Sequence, residues 1–288
     1  MSNSSVKVDA ATVYIVATPI GNLGDITLRA LEVLRQVDCI AAEDTRHSLR
    51  LLHHYAINRP LLALHQHNEN SAAAQLLKRL LAGESVALIS DAGTPLISDP
   101  GVRLLQQLHQ HRLKVVPIPG PSALTTALSV AAIDTTHFCF YGFLAAKAGQ
   151  RRQQLQQLAD REEALVFYES PHRILDSLTD MADIFGASRL AVVARELTKR
   201  YETVLHGSLE QLQQQLRLDS EQQRGEFVIL IAAADKVAQS EVFTPQELQL
   251  MQLLLAEKVA LKQAARVMSG HSGKSKNLCY QRLLALQQ

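Results

Sequence analysis

The 288-residue chain has few of the features that hold a protein together by cross-linking. Its three cysteines, Cys39, Cys139 and Cys279, are an odd number set about 100 residues or more apart. That spacing excludes a disulfide framework and the close pairs of a zinc site, and fits a reducing cytoplasm. Net charge is also lacking: 29 Lys and Arg stand against 28 Asp and Glu, with 47% hydrophobic residues, so the composition is not that of a disordered chain. No apolar run approaches the ~18 residues of a membrane span, and residues 1–11 are polar. The expectation is a cytoplasmic protein with no membrane segment and no signal peptide. At ~150 residues per domain, the length predicts about two domains, each large enough to bury its own core.

The position of the charges is more informative than their sum. Residues 1–118 carry 11 basic and 10 acidic side chains, residues 119–240 carry 12 and 15, and residues 241–288 carry 6 and 3. Within the last segment Lys262, Arg266, Lys274, Lys276 and Arg282 are accompanied by no acid after position 257. Such asymmetry points to a polyanionic partner; a solvated helix face is the alternative.

Strand and helix patterns alternate along most of the chain. Residues 13–18 are a β-branched, apolar run broken by Pro19 and Gly21, after which Leu28, Leu31, Leu34 and Val37 recur at helical spacing. Runs at 39–42, 61–64, 86–90 and 115–118 continue the alternation, with a helix over 72–82, and imply a mostly parallel sheet covered on both faces. Pro117, Pro119, Gly120 and Pro121 then mark a boundary. A second set follows, with strands over 137–143, 165–169, 190–195 and 227–232 and helices over 150–158, 172–185 and 209–218. The predicted organisation is an N-terminal α/β domain over 12–118, a second α/β domain over 119–240 with a cleft between them, and a helical, basic appendage over 241–288. In the appendage, Thr244-Pro245-Gln246-Glu247 reads as a capped helix start. A helix over 261–268, a turn at Ser269-Gly270-His271-Ser272 and a helix over 274–286 have helix-turn-helix spacing, which equally suits a dimer arm.

Several loops carry chemistry-bearing residues. Pro19-Ile20-Gly21-Asn22-Leu23-Gly24 follows a strand and opens a helix, but it lacks the glycine pair of a dinucleotide fingerprint, although Glu43 or Asp44 could supply its acid. Gly273-Lys274-Ser275 is not a nucleotide-phosphate loop, because Met268 stands where that loop needs glycine. Ser90-Asp91-Ala92-Gly93-Thr94-Pro95, running on to Ile97-Ser98-Asp99-Pro100-Gly101, follows a buried strand at the edge where open α/β sheets bind ligands; turn-capping by the two aspartates is the bland alternative. Pro119-Gly120-Pro121-Ser122-Ala123 is a second small-residue loop, with Ser122 a candidate helix cap. Tyr168-Glu169-Ser170-Pro171-His172-Arg173 and Arg195-Glu196-Leu197-Thr198-Lys199-Arg200 end two further strands. Cations in the latter suit phosphates, or form an ion-pair network. His65 and His67 have no matching second pair and no nearby cysteine, so no metal site is expected, and His53, His54, His109 and His111 read as surface.

Taken in order, Ala17-Thr18-Pro19-Ile20-Gly21-Asn22-Leu23-Gly24-Asp25, Ala42-Glu43-Asp44-Thr45-Arg46 and the loops around Asp91, Ser122 and Glu169 closely resemble the ribosomal RNA small subunit methyltransferase I family of the tetrapyrrole-methylase superfamily, across about residues 12–286. The resemblance implies a class III methyltransferase fold, usually a homodimer, that uses S-adenosylmethionine to methylate the ribose 2′-oxygen of a cytidine in the decoding region of 16S rRNA within the small ribosomal subunit. By position it implies cofactor contacts from Pro19, Asp91, Ala92, Gly93, Ile97, Ser122, Ala123, Phe143, Tyr168 and Val228. The Pro19–Gly24 loop departs from the glycine-proline loop common in tetrapyrrole enzymes, which weighs against a porphyrinoid substrate.

Methyl transfer to a hydroxyl needs alignment in a dry cleft and a proton acceptor, and no metal. The candidates for the acceptor are Asp91, His67, Glu169 and Glu196; Arg46, Arg173, Arg195, Lys199, Lys274 and Lys276 are the expected contacts to RNA phosphates. A tetrapyrrole methylase, an inactive RNA-binding assembly protein and a DNA-binding regulator are the rival readings.

Overall fold

The computed structural model describes residues 7–65, 67–98, 101–234, 243–272 and 274–287; Asp99, Pro100 and Gly273 lie outside them. The chain divides into two compact units, 1–232 and 233–288. The first unit holds two five-stranded sheets.

The first sheet is built from β1 (Thr12–Val16), β2 (Cys39–Ala42), β3 (Leu61–Ala63), β4 (Val86–Ile89) and β5 (Lys114–Ile118), interleaved with α1 (Leu28–Gln36), α2 (Thr45–His54), α3 (Glu69–Leu81) and α4 (Val102–Gln110). Its order is β3-β2-β4-β1-β5 and every pairing is parallel. The helix between successive strands returns the chain to start the next one in the same direction, and β1, β2 and β4, covered on both faces, are buried along their whole length. On β1, Val13 and Ile15 enter one core with Cys39, Ala41, Val86 and Leu88, whereas Tyr14 and Val16 enter the opposite one with Ile40, Ala87 and Ile89.

The second sheet follows α5 (Ala123–Ser129) and comprises β6 (Phe138–Phe143), β7 (Ala164–Glu169), β8 (Leu190–Arg195), β9 (Thr203–Ser208) and β10 (Phe227–Ile231), with α6 (Ala148–Gln156), α7 (Ile174–Phe185) and α8 (Leu209–Leu218). Its order is β6-β7-β10-β8-β9, and only β6 with β7 is parallel. One face buries Phe167, Val193 and Ile229 beneath α6, α7 and α8. The other presents Val166, Val192, Val228 and Leu230 to α5 and to Ile20, which reaches over from the loop after β1. Helices α2 and α4 and strand β9 are additional to the elements the periodicity announced. The boundary expected at 118/119 coincides with the end of β5, yet both sheets belong to the same compact unit.

The described part of the second unit is a three-helix cluster of α9 (Pro245–Ala256), α10 (Leu261–Ser272) and α11 (Lys276–Gln287) around Met251, Ala264, Met268, Cys279 and Leu283. Thr244 and Glu247 form the anticipated capping box. The turn expected at 269–272 is instead the last turn of α10, where Ser272 Oγ donates to the Met268 carbonyl at 2.7 Å. Among the described residues no helix is long and apolar enough to cross a membrane.

Candidate active site

A cavity of about 440 Å3 opens in the first unit, where the loops after β1, β4 and β5 meet the ends of β6, β7 and β8 and the start of β10. That size is within the ~300–1,000 Å3 of small-molecule pockets. Asp91, Ala92, Gly93, Ile97, Ser122, Ala123, Phe143, Tyr168 and Val228 all line it, brought together from five separate stretches of chain. Pro19 is buried and does not line it; its neighbour Ile20 does.

The wall from the second sheet is a single cross-strand row. Phe143 pairs with Tyr168, Tyr168 with Val228, and Val228 with Ala194, so side chains from four strands share one face at one height. Phe143 reaches this row because the β6–β7 register shifts between Phe140 and Gly142, where Gly142 has φ +66°. That positive φ is the glycine conformation common at bulges. The Phe143 and Tyr168 rings meet edge-on at 5.6 Å and give the cavity an aromatic, largely apolar side.

The opposite wall is made of small residues. Thr18 and Gly93 exchange both backbone hydrogen bonds, at 2.9 and 3.0 Å, which pins the loop after β4 against the end of β1. Gly93 has φ +79°, and a Cβ there would lie 3.3 Å from Ile20 Cγ2. Ser122 occupies the cap position of α5 without a side-chain cap bond, contrary to the expected role; its carbonyl instead accepts from the Thr126 hydroxyl at 2.8 Å.

Asp91 is half-buried at the cavity, and its Oδ1 accepts the Asp44 backbone N–H at 3.0 Å. Asp44 in turn caps α2, where the Arg46 N–H above all, opposed by slight burial and aided by the His47 N–H, holds its carboxyl below the usual range.

The other acceptor candidates are differently placed. Glu169 borders the cavity but is 2% exposed, and both oxygens are engaged: Oε1 by the Ser170 N–H and Arg173 at 2.7 Å each, Oε2 by the Ser177 hydroxyl at 2.6 Å. Three donors on one buried carboxylate make it the clamp that shapes the β7–α7 turn rather than a free base. Glu196 does not line the cavity; its Oε1 accepts from Lys199 Nζ at 2.8 Å and from the Glu226 N–H at 2.9 Å. Burial raises its pKa, but the hydrogen bonds from Lys199 and Glu226, with the charges of Lys199 and Arg195, outweigh it and leave the carboxyl below its ordinary value. His67 sits in a separate cavity of about 280 Å3 with Asn68, Glu69 and Arg103.

Of the expected phosphate contacts, two are corrected outright. Arg195 is buried and donates to the carbonyls of Arg224 and Tyr201, so it closes the β8–β10 end instead of facing a ligand. Lys274 is 7% exposed, with Nζ 2.8 and 3.0 Å from the two Glu247 oxygens and over the Phe243 ring. Arg173 is held by Glu169, Ser170 and the Leu144 carbonyl. Lys199 lines the cavity while bridging Glu196 and Glu226, the ion-pair network that was the alternative reading. Arg46 and Lys276 are exposed.

Sequence reasoning missed Ile20 and Glu226 in the cavity wall. Ile20 was legible as a large apolar residue directly after the strand in a loop otherwise rich in glycine; Glu226 precedes β10 with no local signal. Among the described residues no group of three or more His, Cys, Asp or Glu is arranged to hold a metal.

Comparison with known proteins gives a consistent picture. Residues 12–213 match the family model of the Tetrapyrrole (Corrin/Porphyrin) Methylases. A Pseudomonas aeruginosa protein named ribosomal RNA small subunit methyltransferase I is 50% identical over 278 residues, 96% of this chain and 98% of that one. The Escherichia coli O157:H7 protein of the same name is 47% identical over 274 residues, 95% of each. Among solved structures, the cobalamin biosynthetic enzyme cobalt precorrin-4 methyltransferase superposes with a TM-score of 0.57 at 16% identity, covering 77% of this chain and 95% of that one. A diphthine synthase gives 0.58 at 13% identity, covering 77% and 90%. These two likenesses carry the fold alone.

Proposed function

Because the chain belongs to the ribosomal RNA small subunit methyltransferase I family of the tetrapyrrole methylases, we propose that it methylates the ribose 2′-oxygen of a cytidine in the decoding region of 16S rRNA. S-adenosylmethionine, the methyl donor of the family, supplies when bound a methyl carbon made electrophilic by its sulfonium. The observation that carries the reading is the cavity itself, whose parts suit that donor. An aromatic and aliphatic wall of Phe143, Tyr168 and Val228 suits an adenine ring. A cradle of Ala92, Gly93, Ser122 and Ala123 lets a ribose or a methionine chain approach the backbone, and Ile97 closes the rim.

In this reading Asp91 is the acceptor for the 2′-hydroxyl proton. It is the one candidate that lines the cavity with a single hydrogen bond to the protein among the described residues. The Asp44 N–H fixes its carboxylate, leaving the second oxygen to accept from substrate, within ~3 Å in a productive pose. Leu197, Ile97 and Val228 keep water from the place where the ribose oxygen is held. Glu169, through Arg173 and Ser177, keeps the β7 end in place beneath Tyr168. Lys276 remains a phosphate contact, and Lys274 leaves the set. The chain acts as a homodimer on the assembled small subunit; β6, an edge strand with exposed Phe138, favours self-association.

The test is transfer of labelled methyl from S-adenosylmethionine to small subunits lacking their modifications, followed by alkaline hydrolysis. An alkali-resistant labelled dinucleotide establishes 2′-O-methylation, since blocking that oxygen prevents strand cleavage. Label on a porphyrinoid precursor and none on RNA overturns the proposal.

A further inference from the structure

Helix α2 begins at the cavity and leads away from it. Its cap residue, Asp44, is the donor to Asp91, and the helix then runs from Thr45 to His54 without an acidic residue. Arg46, His47, Arg50, His53 and His54 are all exposed, while Ser48, Leu51 and Leu52 are buried. At 3.6 residues per turn the five fall within about a third of the circumference, a stripe ~12 Å long. Arg46, whose side chain is 91% exposed, has its Nε 3.7 Å from Asp44 Oδ1; that oxygen is already engaged by the Arg46 and His47 N–H groups, and so exposed a pair is worth little. The His54 ring stands edge-on to Tyr55 at 4.7 Å, which holds it on the surface.

We infer that this face of α2 is a track for a single-stranded segment of the RNA substrate. The inference rests on the reading of the chain as an rRNA methyltransferase, and it adds a path from the cavity that the cofactor site does not define. Two guanidiniums suit phosphates, which they bind bidentately. Three imidazoles offer flat surfaces on which unstacked bases can lie, the chemistry by which proteins recognise single-stranded RNA. The stripe is long enough to meet two or so successive phosphates of one extended strand. Nothing in a DNA duplex would use the imidazole planes, and a protein partner would be expected to leave an apolar patch among the cations, where Leu49 is the sole large apolar neighbour on α2.

The experiment measures binding of a short fluorescein-labelled single-stranded RNA to the full chain by anisotropy across a salt series at pH 8. Arg46→Ala/Arg50→Ala is expected to weaken binding about tenfold and to reduce the slope of log K against log salt by about 1.4, from ~0.7 per cation on single strands. His53→Ala/His54→Ala is expected to weaken binding with the slope unchanged, because a base stacked on a ring displaces no counterion from a phosphate. Arg217→Ala, an exposed cation on α8, is the control and leaves both quantities as they are. S-adenosylmethionine affinity stays the same in every variant. If the double alanine variant melts early, Arg46→Gln/Arg50→Gln carries the same test.

Wild-type slope and affinity in the double arginine variant, from a chain that still methylates small subunits, overturn the track and leave the methyltransferase reading intact. An equal loss in Arg217→Ala overturns it as well, since the effect is then one of net charge. A wild-type chain that binds S-adenosylmethionine yet neither binds nor methylates RNA overturns both.

Discussion

The backbone N–H of Asp44 donates to Asp91 Oδ1 at 3.0 Å, tying the end of β2 to the loop that follows β4. These strands are neighbours in the sheet although 47 residues separate the two aspartates. The bond orients a cavity carboxylate that, among the described residues, accepts a single hydrogen bond from the protein, and it couples that carboxylate to the start of α2.

Asp91→Asn keeps an oxygen for the Asp44 N–H but removes the charge that accepts a proton. Methyl transfer to small subunits is expected to fall about 100-fold in kcat, the ordinary contribution of a general base, with the melting temperature little changed. Full activity in this variant sends the acceptor role elsewhere.

For Glu169 the expected outcome is reversed. Glu169→Ala strands Arg173 and Ser177 without their partner in a buried turn and costs about 3 kcal/mol of stability, read from chemical denaturation. Glu169→Gln, which still accepts from the Ser177 hydroxyl, is expected to keep kcat within a few-fold of wild type. A collapse of kcat in the stable Gln variant would make Glu169 the base after all.

Gly142→Ala tests the bulge that lifts Phe143 into the aromatic row. At φ +66° an alanine pays about 1–2 kcal/mol in backbone strain, and its Cβ would lie 2.9 Å from Ser98 Oγ. Lower stability together with weaker S-adenosylmethionine binding by calorimetry is expected; weaker stability with unaltered cofactor affinity would detach the bulge from the site.

Lys274→Met is expected to lower the melting temperature of the unit spanning 233–288 and to leave the salt slope of RNA binding unchanged at temperatures where that unit stays folded. The pair also carries an acid-side pH dependence. Glu247 is held below its ordinary 4.5, first by the Lys274 hydrogen bond and then by the Thr244 N–H, against slight burial. A carboxylate whose folded pKa is depressed adds stability above its unfolded value and loses it as the pH falls through the folded one. Melting of the wild type should therefore drop on acidification below about 4.5, and the Lys274→Met profile should be flatter there. A reduced salt slope in the folded variant would return Lys274 to the RNA footprint.

Much of this was legible in the chain read as letters. Strands buried on both faces announced themselves as apolar runs, and the breaks at Pro19, Gly93 and Pro119-Gly120-Pro121 located the loops that line the cavity. Strand β9 escaped because Thr203–Ser208 mixes polar and apolar residues and is only half-buried. The antiparallel pairings of β10 escaped because strand direction is a property of connections, and both βα alternation and a hairpin use the same residues.

What the sequence determined by itself was composition at each position along the strands and loops: which faces are apolar, where the backbone is freed by glycine and proline, and which loops hold carboxylates and cations. Tertiary structure decided which of those charges remain available. Lys274 and Glu247 are 27 residues apart, and the Arg195 guanidinium meets a carbonyl 29 residues on, so each reads as a free cation until the chain folds back. A buried charge must be paired or pay its desolvation, and the partner is supplied by whichever element packs opposite. The same holds for the aromatic row: Phe143, Tyr168 and Val228 face one cavity because the strand registers align them. Register is fixed by packing and by one bulge, and local sequence preference does not encode it.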